Sequence, residues 1–102
     1  FLICKGAVPC GYLKINGLNG NDDIGWISIL AVAPAFKGKG VGKYAVSYAE
    51  KYLSEHGKLC VRIHTTKDNF PAQRLYEKCG YELYDCTQTN TANDKLTYFK
   101  QI

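Results

Sequence analysis

The chain has 102 residues, of which 46% are hydrophobic and 22% charged, and its formal net charge is +4. This length fits one domain with a single core over residues 1–102, and no apolar run approaches the roughly 18 residues of a membrane-spanning helix. The charge is modest, and the sequence has no basic stripe with interleaved aromatic residues. Membrane insertion and nucleic-acid binding are therefore both disfavoured.

The first third of the chain predicts three β-strands. Phe1 to Lys5 and Pro9 to Asn16 are expected to form a hairpin around the turn at Gly6-Ala7. Ile24 to Val32 is almost continuously apolar, which is typical of a strand covered on both faces. The first strand, FLICK, is also apolar and would lie at the edge of the sheet. We therefore expect an uncovered surface there that would allow a homodimer.

A glycine-rich turn with several lysines follows the third strand. Lys37 to Gly42 reads KGKGVG, and the residues from Val41 onward have the spacing of an amphipathic helix. Glycines let the backbone approach a ligand closely, and the first N–H groups of a helix have no partner within it. Lys37, Lys39 and Lys43 add positive charge around the same turn. The sequence therefore predicts a site for a ligand that carries phosphate.

Two nucleotide-binding patterns fit this turn poorly. The P-loop pattern G-x-x-x-x-G-K-[ST] matches at Gly42, but Lys37 replaces its first glycine and Tyr44 replaces the hydroxyl residue that binds Mg²⁺. The dinucleotide pattern G-x-G-x-x-G/A matches from Gly40 to Ala45, yet the next strand ends without the acidic residue that should bind the ribose. An NTPase is thus excluded, and a dinucleotide-binding domain is only a weak alternative.

A helix and a second central strand are expected after the turn. The helix has one apolar face, which is expected to pack in the core and is made of Val41, Ala45, Tyr48, Ala49 and Tyr52. Gly57 supplies its C-terminal stop. Leu59 to Thr66 is the strand, and it should run parallel to Ile24–Val32 because a helix joins the two.

A shorter helix and a closing hairpin complete the predicted elements. The helix is expected to be capped by Asp68 or Asn69 and to end before Gly80. Tyr81 to Thr87 and Lys95 to Ile102 are expected to pair around a polar loop. The elements together predict an α+β fold, with a mixed, mostly antiparallel sheet that contains a central parallel strand pair and carries packed helices.

The five cysteines form no C-x-x-C pair and are odd in number. They are Cys4, Cys10, Cys60, Cys79 and Cys86. Most lie in apolar runs, where a cysteine behaves as a small buried hydrophobic residue. We therefore expect reduced thiols and a cytoplasmic protein, and no metal site.

Two motifs give the sequence a resemblance to a known family. Lys37 to Gly42 resembles the R/Q-x-x-G-x-G/A loop of the GNAT superfamily of acyl-CoA-dependent N-acetyltransferases, with Lys in the R/Q place. Asn69 to Tyr81 resembles the N-x-x-A-x-x-L-Y-E-K-x-G-F/Y helix of the same family. The two occur in the family's order, and the resemblance covers Ile24 to Ile102 well and the first hairpin loosely. A full family domain has a strand and two helices before this point, and these are expected to be missing here.

The resemblance implies that acetyl-CoA is the co-substrate and that no metal is needed. In the family the parallel strands splay apart after a position equivalent to about Leu30, and the cofactor enters the gap. The backbone groups of Leu30 and Val32 would pair with the pantetheine arm, and Asn69 would form a hydrogen bond with it. The pyrophosphate would bind the glycine-rich loop, whose cofactor-binding residues are Lys37, Gly38, Lys39, Gly40, Val41, Gly42 and Lys43.

The resemblance also implies the reaction, in which a primary amine attacks the acetyl thioester. The departing thiolate needs a proton, and by resemblance the catalytic donor is Tyr76 in the L-Y-E-K motif. The amine must lose a proton, and many members of the family use a carboxylate on the strand before the loop, but Ile24 to Phe36 contains none. Ser28 is too weak a base, whereas His64 lies on the neighbouring strand and a histidine side chain has an unperturbed pKa of about 6.5. The general base is left unassigned.

The function predicted from the sequence is therefore that of an N-acetyltransferase. It would move an acetyl group from acetyl-CoA to a primary amine of a small molecule or a protein. The alternative from another class is a non-catalytic CoA-binding module, with an intact cofactor loop and an inactive acceptor site. The sequence does not identify the amine acceptor.

Overall fold

A computed structural model of the chain describes residues 1–18, 22–83 and 95–102. The strands are β1 (Leu2–Lys5), β2 (Val8–Asn16), β3 (Ile24–Val32), β4 (Cys60–Thr66), β5 (Glu82–Leu83) and β6 (Lys95–Gln101). The helices are α1 (Val41–Glu55) and α2 (Phe70–Lys78), and a 3-10 turn covers Pro34–Phe36. The sheet has the order β1-β2-β3-β4-β6-β5, with β3 and β4 parallel and the other described pairs antiparallel. The predicted α+β fold is confirmed.

Most predicted element boundaries agree with the structure. The first hairpin turns at Gly6-Ala7, and Gly57, with a φ of 83°, follows the end of α1 as expected. Of the predicted strand Tyr81 to Thr87, the described part contains β5, whose two residues pair with Phe99 and Tyr98 of β6. Residues 84–94, which include Cys86 and the predicted polar loop, lie outside the described residues.

The parallel pair separates partway along its length. Pairing runs from Ile24–Cys60 to Ile27–Ile63 and then stops, although β3 continues to Val32 and β4 to Thr66. The separation therefore begins before the expected Leu30. On its other side, β3 pairs Ile27 and Ile29 with consecutive residues of β2, so Ser28 is an extra residue in a β-bulge. Because a bulge bends its strand and increases the local twist, it accounts for the early divergence.

Helix α1 packs on the sheet through a face that differs from the predicted one. Its buried residues are Ala45, Val46, Ala49 and Leu53. Tyr48 is 39% exposed and was wrongly assigned to the core. Leu53 can approach closely because it packs over Gly25 of β3, where an added Cβ would lie 2.5 Å from Leu53 Cδ2. Tyr48 and Tyr52 instead pack edge-on against Phe1, with ring centroids 5.3 and 5.2 Å away.

The cysteines are less buried than expected. Among those described, all free, Cys10 is buried, Cys60 and Cys79 are half-buried, and Cys4 is exposed. Cys4 is exposed because strand side chains alternate between faces and its neighbour Ile3 points into the core. The prediction of buried thiols was therefore wrong for Cys4.

A polar cluster joins α1 to the end of α2 and to β6. The Tyr81 hydroxyl donates to Glu50 Oε2 at 2.9 Å, and Lys100 Nζ forms an ion pair with the same oxygen at 3.2 Å. Lys100 Nζ also donates to the carbonyl oxygen of Cys79 at 2.8 Å, just beyond the end of α2. Burial, followed by the neighbouring Glu50 carboxylate, raises the pKa of Tyr81 well above its ordinary value. The folded protein therefore favours the neutral phenol strongly.

This pKa shift predicts loss of stability at alkaline pH. Below about pH 10 the tyrosine is protonated in both the folded and the unfolded chain, so it adds no pH dependence. Above that pH only the unfolded chain releases the proton, and the free energy of unfolding should fall by up to about 1.4 kcal/mol per pH unit for this group. Urea unfolding between pH 8 and 11 measures the slope. Tyr81→Phe should reduce the slope, whereas Tyr44→Phe, at an exposed tyrosine, should leave it unchanged.

Candidate active site

The separation of β3 and β4 opens a cavity of about 290 Å³ at the middle of the sheet. Residues from both strands and from the beginning and middle of α2 line it, among them Leu30, His64, Asn69 and Tyr76. Three of these were predicted as site residues and the fourth as a candidate base. The fold therefore brings together side chains that are up to 46 positions apart in the sequence.

The backbone groups of Leu30 and Val32 face this gap. The Ala33 N–H donates to the Cys10 carbonyl of β2 at 2.8 Å, so Ala33 and, two residues earlier, Ala31 point toward β2. Because successive residues of a strand direct their backbone groups to opposite sides, Leu30 and Val32 point toward β4. Pairing with β4 has ended at Ile27, so this edge of β3 can accept an extended ligand as if it were another strand.

The glycine-rich loop presents a row of backbone N–H groups to solvent. Residues 37–40 are all exposed, and Gly38 and Gly40 have φ angles of 77° and 84°. A Cβ added to either glycine would meet nothing within 4 Å, so these two positions need glycine for their backbone angles and not for packing. No acceptor in the described part of the chain takes a hydrogen bond from the N–H groups of residues 38–43. Six successive amides are thus available to an anion.

The electrostatics of this helix end also favour an anion. The N-terminus of α1 has no side-chain cap at Gly40 and no acidic residue in its first turn. Lys37, Lys39 and Lys43 are exposed around it. Cations at a helix N-terminus oppose the helix dipole, so this arrangement costs stability until an anion binds. Charged residues that lower the stability of their own helix end are typical of a functional site.

Gly42 has a different role from the other loop glycines. It is half-buried, and an added Cβ would lie 2.8 Å from Leu75 Cδ2 of α2. Val41 is also half-buried and packs against the core. Gly42 therefore sets the close contact between the start of α1 and α2. This packing role was missed in the sequence because the partner, Leu75, lies 33 positions away.

Tyr76 differs from the two other tyrosines that surround it. Its ring packs against Tyr98 and Tyr81, with centroids 5.8 and 6.3 Å away, and it is 6% exposed. Tyr81 and Tyr98 donate their hydroxyls to Glu50 and Glu77, whereas the Tyr76 hydroxyl forms no hydrogen bond within the described residues. Burial, followed by the nearby Cys79, raises the pKa of Tyr76. This phenol lines the cavity and keeps its proton throughout the neutral pH range.

Asn69 caps α2 and lines the same cavity. Its Oδ1 accepts a hydrogen bond from the Ala72 N–H at 3.3 Å, which confirms the predicted N-cap. Gln73 Nε2 donates to the carbonyl oxygens of Thr66 and Lys67 and fixes the turn between β4 and α2. Asn69 is exposed and lines the cavity while its Oδ1 caps the helix.

Ser28 and His64 lie on the two diverging strands. Ser28 accepts a hydrogen bond from Asn16 Nδ2 at the bulge. His64 Nδ1 lies 2.9 Å from Thr97 Oγ1 of β6, and its ring packs against Trp26 with centroids 4.8 Å apart. The bulge was not predicted, although a small polar residue within an apolar strand is the signal that could have indicated it. Among the described residues, no group of three or more His, Cys, Asp or Glu side chains could hold a metal ion.

None of the described helices is long and apolar enough to cross a membrane.

The sequence matches the family model described as "Acetyltransferase (GNAT) family" over residues 1–81, which includes the first hairpin. It is 35% identical over 69 residues to a mycothiol acetyltransferase of Arthrobacter sp. (strain FB24), which covers 68% of this chain and 21% of that protein. It is 34% identical over 62 residues to a streptothricin acetyltransferase of Escherichia coli, covering 61% of this chain and 36% of that protein.

Solved structures share the fold. The PaiA N-acetyltransferase of Thermoplasma acidophilum, solved in complex with coenzyme A, has a TM-score of 0.82 and 19% identity, covering 97% of this chain and 57% of that one. An acetyltransferase of Bacillus subtilis, also solved with CoA, has a TM-score of 0.81 and 19% identity, covering 97% and 73%. The chain thus spans about a fifth of the mycothiol enzyme and over half of these structures.

The family match covers more than half of the chain, and its extent agrees with the loop and helix motifs read from the sequence. The resemblance predicted from those two motifs is therefore confirmed, and the chain belongs to the acetyltransferase (GNAT) family.

Proposed function

We propose that this chain carries the acetyl-CoA site of an N-acetyltransferase that acts on a primary amine. The observation that carries the proposal is the position of the six available amides of residues 38–43 beside the gap between β3 and β4. A pyrophosphate fits the loop amides, and an extended arm that contains amides fits the gap between the strands. Acetyl-CoA has both parts in one molecule, with its thioester at the far end of the arm.

Each predicted cofactor-binding residue has a role in this proposal. The pyrophosphate would accept hydrogen bonds from the loop amides, with the positive charges of Lys37, Lys39 and Lys43 around it. The pantetheine amides would pair with the backbone of Leu30 and Val32, and Asn69 would donate from its Nδ2. The thioester would then lie in the cavity beside Tyr76.

Tyr76 would supply the proton that the departing thiolate needs. The amine nitrogen forms a bond to the thioester carbon and loses one proton, the carbon–sulfur bond breaks, and the sulfur takes the phenolic proton. The proton lost by the nitrogen returns through solvent to the phenolate. A thiolate is a better leaving group when it is protonated as it departs. The raised pKa of Tyr76 ensures that the proton is present at neutral pH, because burial disfavours the phenolate.

The acceptor is proposed to be a small amine or a lysine-like amine of a protein. Relatives of this chain are named for mycothiol and for streptothricin. Streptothricin therefore belongs in a first acceptor panel, together with polyamines, amino acids and lysine peptides. Release of the CoA thiol, measured in the presence of each acceptor, tests for turnover.

A non-catalytic CoA-binding module is the second candidate. It is favoured by one observation, which is that no carboxylate lies among the described residues that line the cavity. Tight binding of acetyl-CoA without acetylation of any acceptor by the whole protein would select this alternative.

We also propose that two copies of the chain associate and that the protein is cytoplasmic. Phe1, Leu2 and Tyr44 are exposed beside the edge strand β1, and this apolar surface supports association of two copies. A cytoplasmic location is supported by the free thiols of the described cysteines.

Acetyl-CoA is expected to stabilise the protein, while ATP and NAD are not. A ligand at 100 times its dissociation constant adds about 2.7 kcal/mol to the free energy of unfolding. The phosphates of ATP fit the loop, but ATP has no pantetheine arm to fill the gap between β3 and β4. NAD also lacks such an arm, and the chain lacks the acidic residue that would bind its ribose. Thermal unfolding with each ligand at equal concentration measures the difference. A larger shift with NAD than with acetyl-CoA would contradict the assignment of the site.

A further inference from the structure

The cavity reaches both faces of the sheet, and its two titratable side chains lie on opposite faces. Successive residues of β4 alternate, with Ile63 and Thr65 buried on the side of the helices and His64 exposed on the other side. Tyr76 lies on the helix side, where its ring packs against Tyr98. Both His64 and Tyr76 line the gap. A thioester held between the strands would therefore have the phenol on one side and the imidazole on the other.

The ring of His64 is held in place by neighbours from both adjacent strands. Thr97 Oγ1 of β6 lies 2.9 Å from Nδ1, and the ring lies tilted by 36° against Trp26 of β3, with centroids 4.8 Å apart. The Thr97 hydroxyl can accept from an Nδ1–H, which is the tautomer in which Nε2 accepts a proton. The same hydrogen bond persists after Nε2 is protonated. The contact thus suits a residue that gains and loses a proton at Nε2.

The remaining lining residues leave few alternatives for a base. Apart from His64 and Tyr76, the described residues around the cavity have aliphatic, hydroxyl or amide side chains. Tyr76 is kept protonated by burial, and serine and threonine hydroxyls are too weakly basic. Among the described lining residues, an imidazole is therefore the group that can accept a proton near neutral pH.

We propose that His64 is the general base that takes the proton from the attacking amine. This inference rests on the proposed function and assigns one more catalytic residue to it. The amine enters from the face that carries Trp26 and His64, and its nitrogen forms a bond to the thioester carbon. His64 Nε2 takes the proton from that nitrogen, while Tyr76 gives its proton to the departing sulfur. Solvent then carries the proton from the imidazolium back to the phenolate, so the enzyme is restored.

Among the described neighbours of His64, Trp26 and Arg62 affect the positive charge that would form on its ring. The face of the Trp26 indole stabilises an imidazolium by a cation–π interaction. The Arg62 guanidinium, whose carbon lies 5.9 Å from the centre of the same indole, opposes a second positive charge. Thr97 of β6, which contacts the Nδ1 of His64, is uncharged. The two contacts thus act in opposite directions on an imidazolium that forms during the reaction.

The test compares the two histidines of the chain in the whole protein. His64→Ala should lower turnover about 10²- to 10³-fold, with acetyl-CoA affinity unchanged, since general acid–base catalysis contributes about 10²- to 10⁴-fold. Added imidazole should restore part of the rate by entering the vacated space. The matched control is His56→Ala, because His56 is exposed at the end of α1 and far from the cavity lining. It should turn over at the wild-type rate with or without imidazole.

The outcomes separate this inference from the proposed function. If the wild-type protein acetylates an amine and His64→Ala does so equally fast at every pH, His64 is not the base, although the proposed function stands. A loss of rate accompanied by weaker acetyl-CoA binding and no rescue by imidazole also overturns the base role. If the wild-type protein binds acetyl-CoA and transfers nothing, the proposed function fails and the base fails with it. The proposal is supported if the turnover of the wild type falls at low pH, if His64→Ala lacks this fall, and if imidazole restores part of the rate of the variant.

Discussion

Gly40→Asp is expected to weaken acetyl-CoA binding by about 100-fold or more while the domain remains folded. The new carboxylate would project from the loop at the place proposed for the pyrophosphate, where it repels the ligand's charge. Charge-assisted hydrogen bonds contribute about 1.5–3 kcal/mol each, so loss of one or two amide contacts alone accounts for this change. Titration calorimetry with acetyl-CoA measures the affinity, and urea unfolding measures the fold.

Folding should survive this substitution because Gly40 lies in open space. An added Cβ meets nothing within 4 Å, and aspartate is among the residues that tolerate a φ of 84° best. A negative charge at the N-cap of α1 also interacts favourably with the helix dipole. Gly42→Asp would be a poorer test, since its Cβ would collide with Leu75 and both packing and binding would change.

Gly57→Asp is the matched control for Gly40→Asp. Gly57 has a φ of 83°, its Cβ would also meet nothing within 4 Å, and it lies at the opposite end of the same helix. The same side chain is thus added at the same backbone angle, away from the loop. Its acetyl-CoA affinity should equal that of the wild type. Equal affinities for both variants would show that the loop is only a connection between β3 and α1.

The fold was predictable where local chemistry decides it. The turn at Gly6-Ala7, the parallel strands joined by α1 and the Asn69 cap all follow from residues close together in the sequence. The core face of α1 was not predictable, because Tyr48 and Leu53 are both apolar at helical spacing. Gly25, on another strand, makes room for Leu53 and so decides between them.

The site was predictable to a similar extent. Gly38 and Gly40 were identified from the pattern itself, because their positive φ angles and exposed amides are properties of the loop alone. The bulge at Ser28 depends on the register with β2, and the anchoring of His64 depends on Thr97, 33 positions away. Motif reasoning carries no information on such register-dependent contacts, and for this reason the motifs alone leave the base unassigned.

Tyr76→Phe is expected to lower turnover about 10²- to 10⁴-fold, which corresponds to roughly 3–5 kcal/mol of activation free energy. Phenylalanine keeps the ring and its contacts with Tyr81 and Tyr98, so only the proton donor is lost. The proton is needed as the carbon–sulfur bond breaks, so acetyl-CoA affinity should change little. Single-turnover measurement with a working acceptor, beside calorimetric titration of acetyl-CoA, separates the two effects.

Tyr98→Phe is the control that isolates the chemical role of the Tyr76 hydroxyl. Tyr98 is a buried tyrosine that contacts Tyr76, and its hydroxyl donates to Glu77 Oε2 at 3.1 Å. Removing that hydroxyl should cost about 1 kcal/mol of stability and leave turnover close to wild type, because Tyr98 is not among the residues that line the cavity. If both variants lost turnover equally, packing of the tyrosine cluster would explain the effect. If Tyr76→Phe kept full turnover, the thiolate would take its proton from another source, such as water.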